Sequence, residues 1–240
     1  MKKLWTFGCS FTAEWYPVGY GDPPLSPYDE YKKYKGGTLP DVWPTILGKK
    51  LNYDIINCGT GGVSNYHILK QFINVIDCIN KGDILIFGWT SLLRFCAVSE
   101  SEYKTIEMLP KQSYHVNVGF SKTTIDEILV NRSNPLWAEE VQNWIKFIND
   151  YCRLKNVEVF HWNSDTMLFD GDSKFIDDKK YILPPKGIET KSMSMIYYFS
   201  NNFGTIQQET DGKINDFHLG EFGHIRQAEY FYNHIIKYVK

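Results

Sequence analysis

The stretch Asp83-Ile84-Leu85-Ile86-Phe87-Gly88 limits the possible folds more than any other part of the chain. A strand with one wet face alternates apolar and polar residues. A short unbroken apolar run belongs to a strand covered on both faces, the condition of a central strand in a parallel sheet. Leu4-Trp5-Thr6-Phe7, stopping at Gly8, predicts an opening strand. Asp54 to Cys58, ending at Gly59, predicts a second, and Val157 to Trp162 a later one.

Segments of helical spacing separate these strands. Asp41 can cap a helix running through Leu51, with Pro44 tolerated in its first turn. Ser64 or Asn65 can cap the next, which carries Ile68, Leu69, Phe72, Ile73, Ile76 and Ile79 and ends at Asn80. Residues 135–155 and the segment from Glu221 to Val239 predict two more amphipathic helices. Residues 14–40, rich in Pro, Gly and Tyr, predict a long ordered loop rather than a helix, and residues 163–215 show no legible order. Strands alternating with crossovers of helical length imply parallel pairing with helices on both faces. The expected class is α/β: a three-layer α/β/α sandwich with a central mostly parallel sheet, one domain over residues 1–240. In such sheets ligands lie outside the carboxyl ends of the strands. Ser10, Gly62, Thr90 and the residues after Trp162 should therefore share one edge.

The 240 residues are 43% hydrophobic and 22% charged, enough apolar material for one sizeable core. A formal net charge of -2 without a basic run argues against nucleic acid and against an anionic membrane surface as partners. The five cysteines are widely spaced and include no C-x-x-C, so buried reduced thiols are expected rather than a disulfide framework or a zinc site. The first residues are too short an apolar run for a signal peptide, and nothing is long enough for a membrane span. The expectation is a cytoplasmic protein, or one exported by a phage or secretion apparatus without a cleavable signal.

Four motifs could carry chemistry. In Gly8-Cys9-Ser10 a hydroxyl follows a strand end, where it could be a nucleophile or merely cap a turn. The N-H of a residue opening a helical turn lacks an internal partner and can meet an anion. Asn57-Cys58-Gly59-Thr60-Gly61-Gly62-Val63-Ser64 could present N-H groups to an oxyanion, form a packing turn, or bind a dinucleotide. Against the last, Ser64 replaces the third glycine and the loop follows the second strand. Gly88-Trp89-Thr90-Ser91 places hydroxyls at the end of the central strand, as donors or as local caps. Asn215-Asp216-Phe217-His218 sets a carboxylate two residues before a histidine, a base with its orienting partner or a surface loop. Taken singly, each has an ordinary structural reading.

In this order, however, G-x-S, N-x-G-x-x-G, G-x-x-x and D-x-H resemble the four blocks of the SGNH (GDSL-like) hydrolase superfamily, from Leu4 to about His224. The resemblance implies the flavodoxin-like sandwich of that family and a serine esterase with no metal or organic cofactor. The nucleophile falls on Ser10 and its base on His218. The oxyanion donors fall on Ser10, Gly62 and Thr90, with Thr90 standing where the family has asparagine. Where the family has D-x-x-H this chain has Asn215, so Asp216 is taken as the partner of His218, because an anion better stabilises the imidazolium. The aromatic stretch from Trp15 to Tyr34 would wall the site and suit a short-chain, carbohydrate O-acetyl ester. Cys9 is the competing nucleophile. The competing functions are a catalytically weakened glycan-binding or phage structural module, and nucleotide binding at the Gly59 to Gly62 loop.

Overall fold

A computed structural model describes residues 2–15, 27–91, 94–98, 103–107, 134–164, 179–185 and 195–239. Its centre is a parallel four-stranded sheet of β1 (Lys3–Gly8), β2 (Asp54–Asn57), β3 (Ile84–Trp89) and β6 (Glu158–Asn163) in the order β2-β1-β3-β6. The continuously apolar β3 is buried at every position and is flanked on both sides, as its composition requires. Two further strands, β4 (Arg94–Val98) and β5 (Tyr103–Glu107), pair antiparallel in a separate hairpin that the sequence did not disclose.

Alternation along the strands divides the interior. Trp5, Phe7, Leu85, Phe87, Trp89 and Val159 pack against α3 (Asn65–Val75) and α4 (Asn134–Lys155). Leu4, Ile84, Ile86, Phe160 and Trp162 pack against α2 (Trp43–Leu51), α5 (Met195–Phe203) and α7 (Glu221–Ile235). The α/β/α sandwich follows directly from this period of two. At the amino-terminal edge, the buried Asp83 carboxylate accepts from Lys3 N at 2.9 Å, Trp5 Nε1 at 3.0 Å and Asn80 N at 3.0 Å.

Three expectations need correction. The stretch over residues 14–40 is not all loop, because α1 spans Pro27–Tyr34, with acidic residues in its first turn and lysines in its last. Its Tyr31 is fully buried, so this ring belongs to a core with Trp15, Val42, Ile206 and Ile214 instead of walling a ligand. Asp41 does not cap α2: the cap position is Val42, and Asp41 pairs with Lys49. Residues 163–215 contain α5 and the one-turn α6 (Ile206–Glu209), whose Thr205 and Gln208 form a capping box. Among the described residues, no helix is long and apolar enough to cross a membrane.

Candidate active site

Ser10 follows the last residue of β1 by two positions. The N-H groups of Thr12 and Ala13 both turn back to Cys9 O, at 2.9 and 3.1 Å, making one helical turn that Ser10 opens. That turn fits because Gly8 and Gly88 lie in register on adjacent strands and leave space for Thr12. A Cβ on Gly8 would stand 2.3 Å from Thr12 Oγ1, and one on Gly88 would stand 2.9 Å from it. Cys9 points the other way: it is fully buried, its Sγ 3.7 Å from Ser164 Oγ.

Three carboxamides hold the carboxyl edge of the sheet. Gln71 accepts from Gly8 N at 3.1 Å and donates to Gly8 O at 3.2 Å. Asn65 does the same to Thr90, donating to its O at 2.9 Å and accepting from its N at 2.8 Å. Asn57 donates to Thr12 O at 2.7 Å and to Glu14 Oε1 at 3.2 Å, while its oxygen accepts from Gly59 N and Thr6 Oγ1, each at 3.0 Å. Each amide both donates and accepts, so it can bond backbone N-H and C=O groups at the strand ends. Asn57 was visible as the head of its glycine motif. Asn65 appeared only as a helix cap and Gln71 not at all, because a buried amide looks in sequence like any polar helix residue.

Gly59, not Gly62, makes the close approach in its loop, since a Cβ on Gly59 would lie 2.6 Å from Ala13 N and 2.8 Å from Thr12 C. Gly62 is exposed with open space around it, and its φ of 69° accounts for the glycine there. Ser64 stands at the cap of α3, but its hydroxyl meets His67 Nδ1 at 3.0 Å rather than the helix backbone.

At the other end of the chain, Asp216 Oδ1 accepts from both His218 Nδ1 and His218 N, each at 2.7 Å. Burial pushes the Asp216 carboxyl up, but its hydrogen bonds with His218 and that residue's charge outweigh burial and hold it below the ordinary carboxylate value. The loop is fixed from behind by α6, whose Ile206 N and Gln207 N donate to His218 O and Asp216 O, both at 2.9 Å. Glu209 then ties α1 and α7 together. Its carboxylate accepts from Tyr31 OH at 2.7 Å, Lys35 Nζ at 2.6 Å and Glu221 N at 3.0 Å. A Cβ on Gly220 would lie 2.0 Å from the Glu209 oxygen.

Two adjoining hollows meet at His218. A small, partly open cavity of about 10 Å³ is lined by Ser10, Phe11, Ala13, Glu14, Trp15, Tyr28, Val42, His218, Leu219 and His224. An open groove of about 280 Å³ is lined by Phe11, Pro27, Tyr28, Asn215, Asp216, Phe217 and His218. The rings of Phe11 and Tyr28 stand 4.9 and 6.1 Å from the imidazole of His218 and belong to both. Ser10 and His218, 208 positions apart by their numbers, thus line one cavity. Gly62 and Thr90 follow β2 and β3 on the same edge but do not line either hollow, and Thr90 is almost fully buried. Of the aromatic stretch, Trp15 and Tyr28 reach the site, whereas Tyr34 bonds Glu209 O at 2.9 Å; Tyr16 and Tyr20 lie outside the described residues.

His224 was not foreseen as part of the site. Burial, and then the charge of His218, lower its pKa to about 3. Its Nδ1 accepts from Trp43 N at 3.3 Å, which puts the ring proton on Nε2. Among the described residues, no group of three or more His, Cys, Asp or Glu is placed to hold a metal ion.

No protein-family model matches the chain, and no curated protein does. Among solved structures it is similar to a candidate lipolytic protein of the G-D-S-L family from Desulfitobacterium hafniense DCB-2. The likeness has 13% sequence identity over 98% of this chain and 99% of that one, with a TM-score of 0.42. Likeness at that level assigns neither family nor activity.

Proposed function

We propose that this chain is a serine hydrolase of the SGNH type, acting as a single domain on an acyl ester. The observation that carries the reading is the meeting of Ser10 and His218 on one cavity, with His218 Nδ1 held by the Asp216 carboxylate. The Asp216 bond fixes the imidazole proton on Nδ1 and leaves Nε2 as the basic nitrogen, the tautomer a serine base requires. Ser10 Oγ attacks the ester carbonyl, His218 takes its proton and returns it to the leaving alcohol, and water then releases the acid. The N-H groups of Ser10 and Gly62, with the Thr90 hydroxyl, serve as oxyanion donors in this reading. The Thr90 N-H is not part of that set, because Asn65 engages it. The inward Cys9 favours Ser10 as the nucleophile. The rings of Trp15, Tyr28 and Phe11 at the site support a carbohydrate O-acetyl ester as substrate.

The test is Ser10→Ala against p-nitrophenyl acetate, paired with fluorophosphonate labelling of the wild type. The expected result is label on Ser10 and loss of turnover at an unchanged melting temperature. Wild-type turnover in Ser10→Ala refutes the assignment. Equal glycan binding by both proteins, without turnover of any acyl ester, identifies a binding module instead.

A further inference from the structure

His224 lines the same small cavity as Ser10 and His218, yet the reaction described so far gives it no part. We propose that His224 is a further catalytic residue, whose Nε2-H holds the water that releases the acyl group from Ser10. This rests on the serine hydrolase reading and adds a second histidine, with a separate task, to the same site.

The ring is fixed from the backbone upward. His224 stands in the first turn of α7, its N-H bonded to Gly220 O at 3.0 Å. That turn sits close against its surroundings, since a Cβ on Gly223 would lie 2.9 Å from Gly204 O. The Nδ1 atom accepts from the N-H of Trp43, the first residue of α2, one of the donors that a helix start leaves without an internal partner. This commits the ring proton to Nε2. Among the described residues, Nε2 has no hydrogen-bond partner. Nor is it a sealed atom: the sealed side-chain nitrogens and oxygens that lack partners belong to Thr12, Trp137, Trp162 and Gln227. A donor that is unpartnered but not sealed, on a residue only 6% exposed, opens on the cavity that residue lines.

The chemistry of the second step calls for such a donor. The water oxygen bonds to the acyl carbon, and the bond from that carbon to Ser10 Oγ breaks. One water proton passes through His218 to Ser10 Oγ, and the other leaves with the acid. A water attacking with one lone pair keeps a second, which an N-H can hold. A cavity of about 10 Å³ has room for about one water, and such a water needs at least two polar partners. His218 accepts from it and His224 donates to it. Trp15 Nε1 is engaged elsewhere, by Pro40 O at 2.6 Å, and Glu14 can only accept. Burial keeps His224 neutral, so it sets no second positive charge beside the imidazolium of His218. In the first step the nucleophile is Ser10, which the chain itself positions. Only in the second is the nucleophile a free molecule that has to be held in place. The loss of this donor therefore falls on deacylation.

The experiment separates the two steps with p-nitrophenyl acetate. Nitrophenolate release with enzyme in excess reads acylation. Loss of the acetyl group from Ser10, followed by mass spectrometry after substrate is removed, reads deacylation. An asparagine amide reaches about as far as Nδ1 and a glutamine amide about as far as Nε2. His224→Asn thus keeps an acceptor for Trp43 and loses the donor, while His224→Gln does the reverse. In His224→Asn deacylation should slow by about tenfold or more, with acylation within about twofold of wild type and little change in melting temperature. In His224→Gln deacylation should stay within a few-fold of wild type although the melting temperature drops. Wild-type clearance of acetyl from His224→Asn, or an equal fall in both steps, overturns the proposal. If His224→Asn does not fold, tenfold slower clearance in folded His224→Gln overturns it instead. A labelled Ser10 with either of those results defeats only the role of His224. No label and no turnover in the wild type defeat the hydrolase reading and this inference together.

Discussion

Replacing Asn65 tests whether the carboxamide clamps hold the site edge. Asn65 is 4% exposed, and the backbone N and O of Thr90 depend on its side chain. Asn65→Ala removes this partner from both Thr90 groups. Each hydrogen bond is worth about 0.5 to 1.5 kcal/mol, so the expected loss is about 1 to 3 kcal/mol. Asn65→Asp removes only the donor and sets a carboxylate oxygen against Thr90 O, so at neutral pH it is destabilising too. Desolvation and that carbonyl raise the pKa of the introduced carboxyl above its unfolded value. Stability gained on protonation is then present at low pH and lost as pH rises through the folded pKa. A protonated carboxyl again offers one donor and one acceptor, as the amide does. Urea unfolding followed by tryptophan fluorescence, each variant against wild type at the same pH, measures both effects. Asn65→Asp should approach wild type as pH falls from neutral to about 5, while Asn65→Ala keeps its full deficit. A wild-type midpoint for Asn65→Ala, or the same pH course for both variants, would refute the reasoning.

Other consequences concern the base, the buried imidazoles and the loop contact. Asp216→Asn removes the charge beside His218 and the tautomer it selects, so kcat should fall by about 10² to 10⁴ with little change in KM; ester hydrolysis under saturating substrate measures it. His161 and His224 are both buried with pKa values lowered from 6.5 to about 3, by burial first and by the nearby charges of Lys180 and His218 second. The unfolded chain therefore binds more protons between those values, and stability falls as pH drops through them. At pH 4.5 the two together should cost about 5 kcal/mol relative to neutral pH, and an unchanged urea midpoint would show that neither is held neutral. Gly59→Ala drives a methyl into the backbone of Thr12 and Ala13, so about 1 to 3 kcal/mol of stability should go together with ester turnover, read by calorimetry and by kcat.

Much of the layered fold was legible along the chain. The uninterrupted apolar run of β3, the helical spacing of α3, α4 and α7, and the glycine ends of the strands are local patterns that follow from the periods of strand and helix. That Ser10 would lie at the carboxyl edge of the sheet was legible as well, because strand ends in a parallel sheet share an edge; that His218 would line the same cavity was an expectation from the order of motifs. The helix α1 was not. Its tyrosines look like loop residues until Ile206, Ile214 and Glu209, nearly two hundred positions later, provide the core and the carboxylate that hold them.

Only the tertiary structure decided which polar residues work inside. Asn65 and Gln71 are ordinary helix residues by composition, and their amides acquire a role because the backbone at the ends of β3 and β1 comes opposite them. The same holds for Gly59, whose need for glycine depends on how near the Ser10 turn comes, and for Cys9, which is buried with its Sγ 3.7 Å from Ser164 Oγ. Local order arises from a residue and its neighbours within a turn or a strand. Contact across the chain depends on how the layers settle on one another, and the shape of the cavity at Ser10 exists only there.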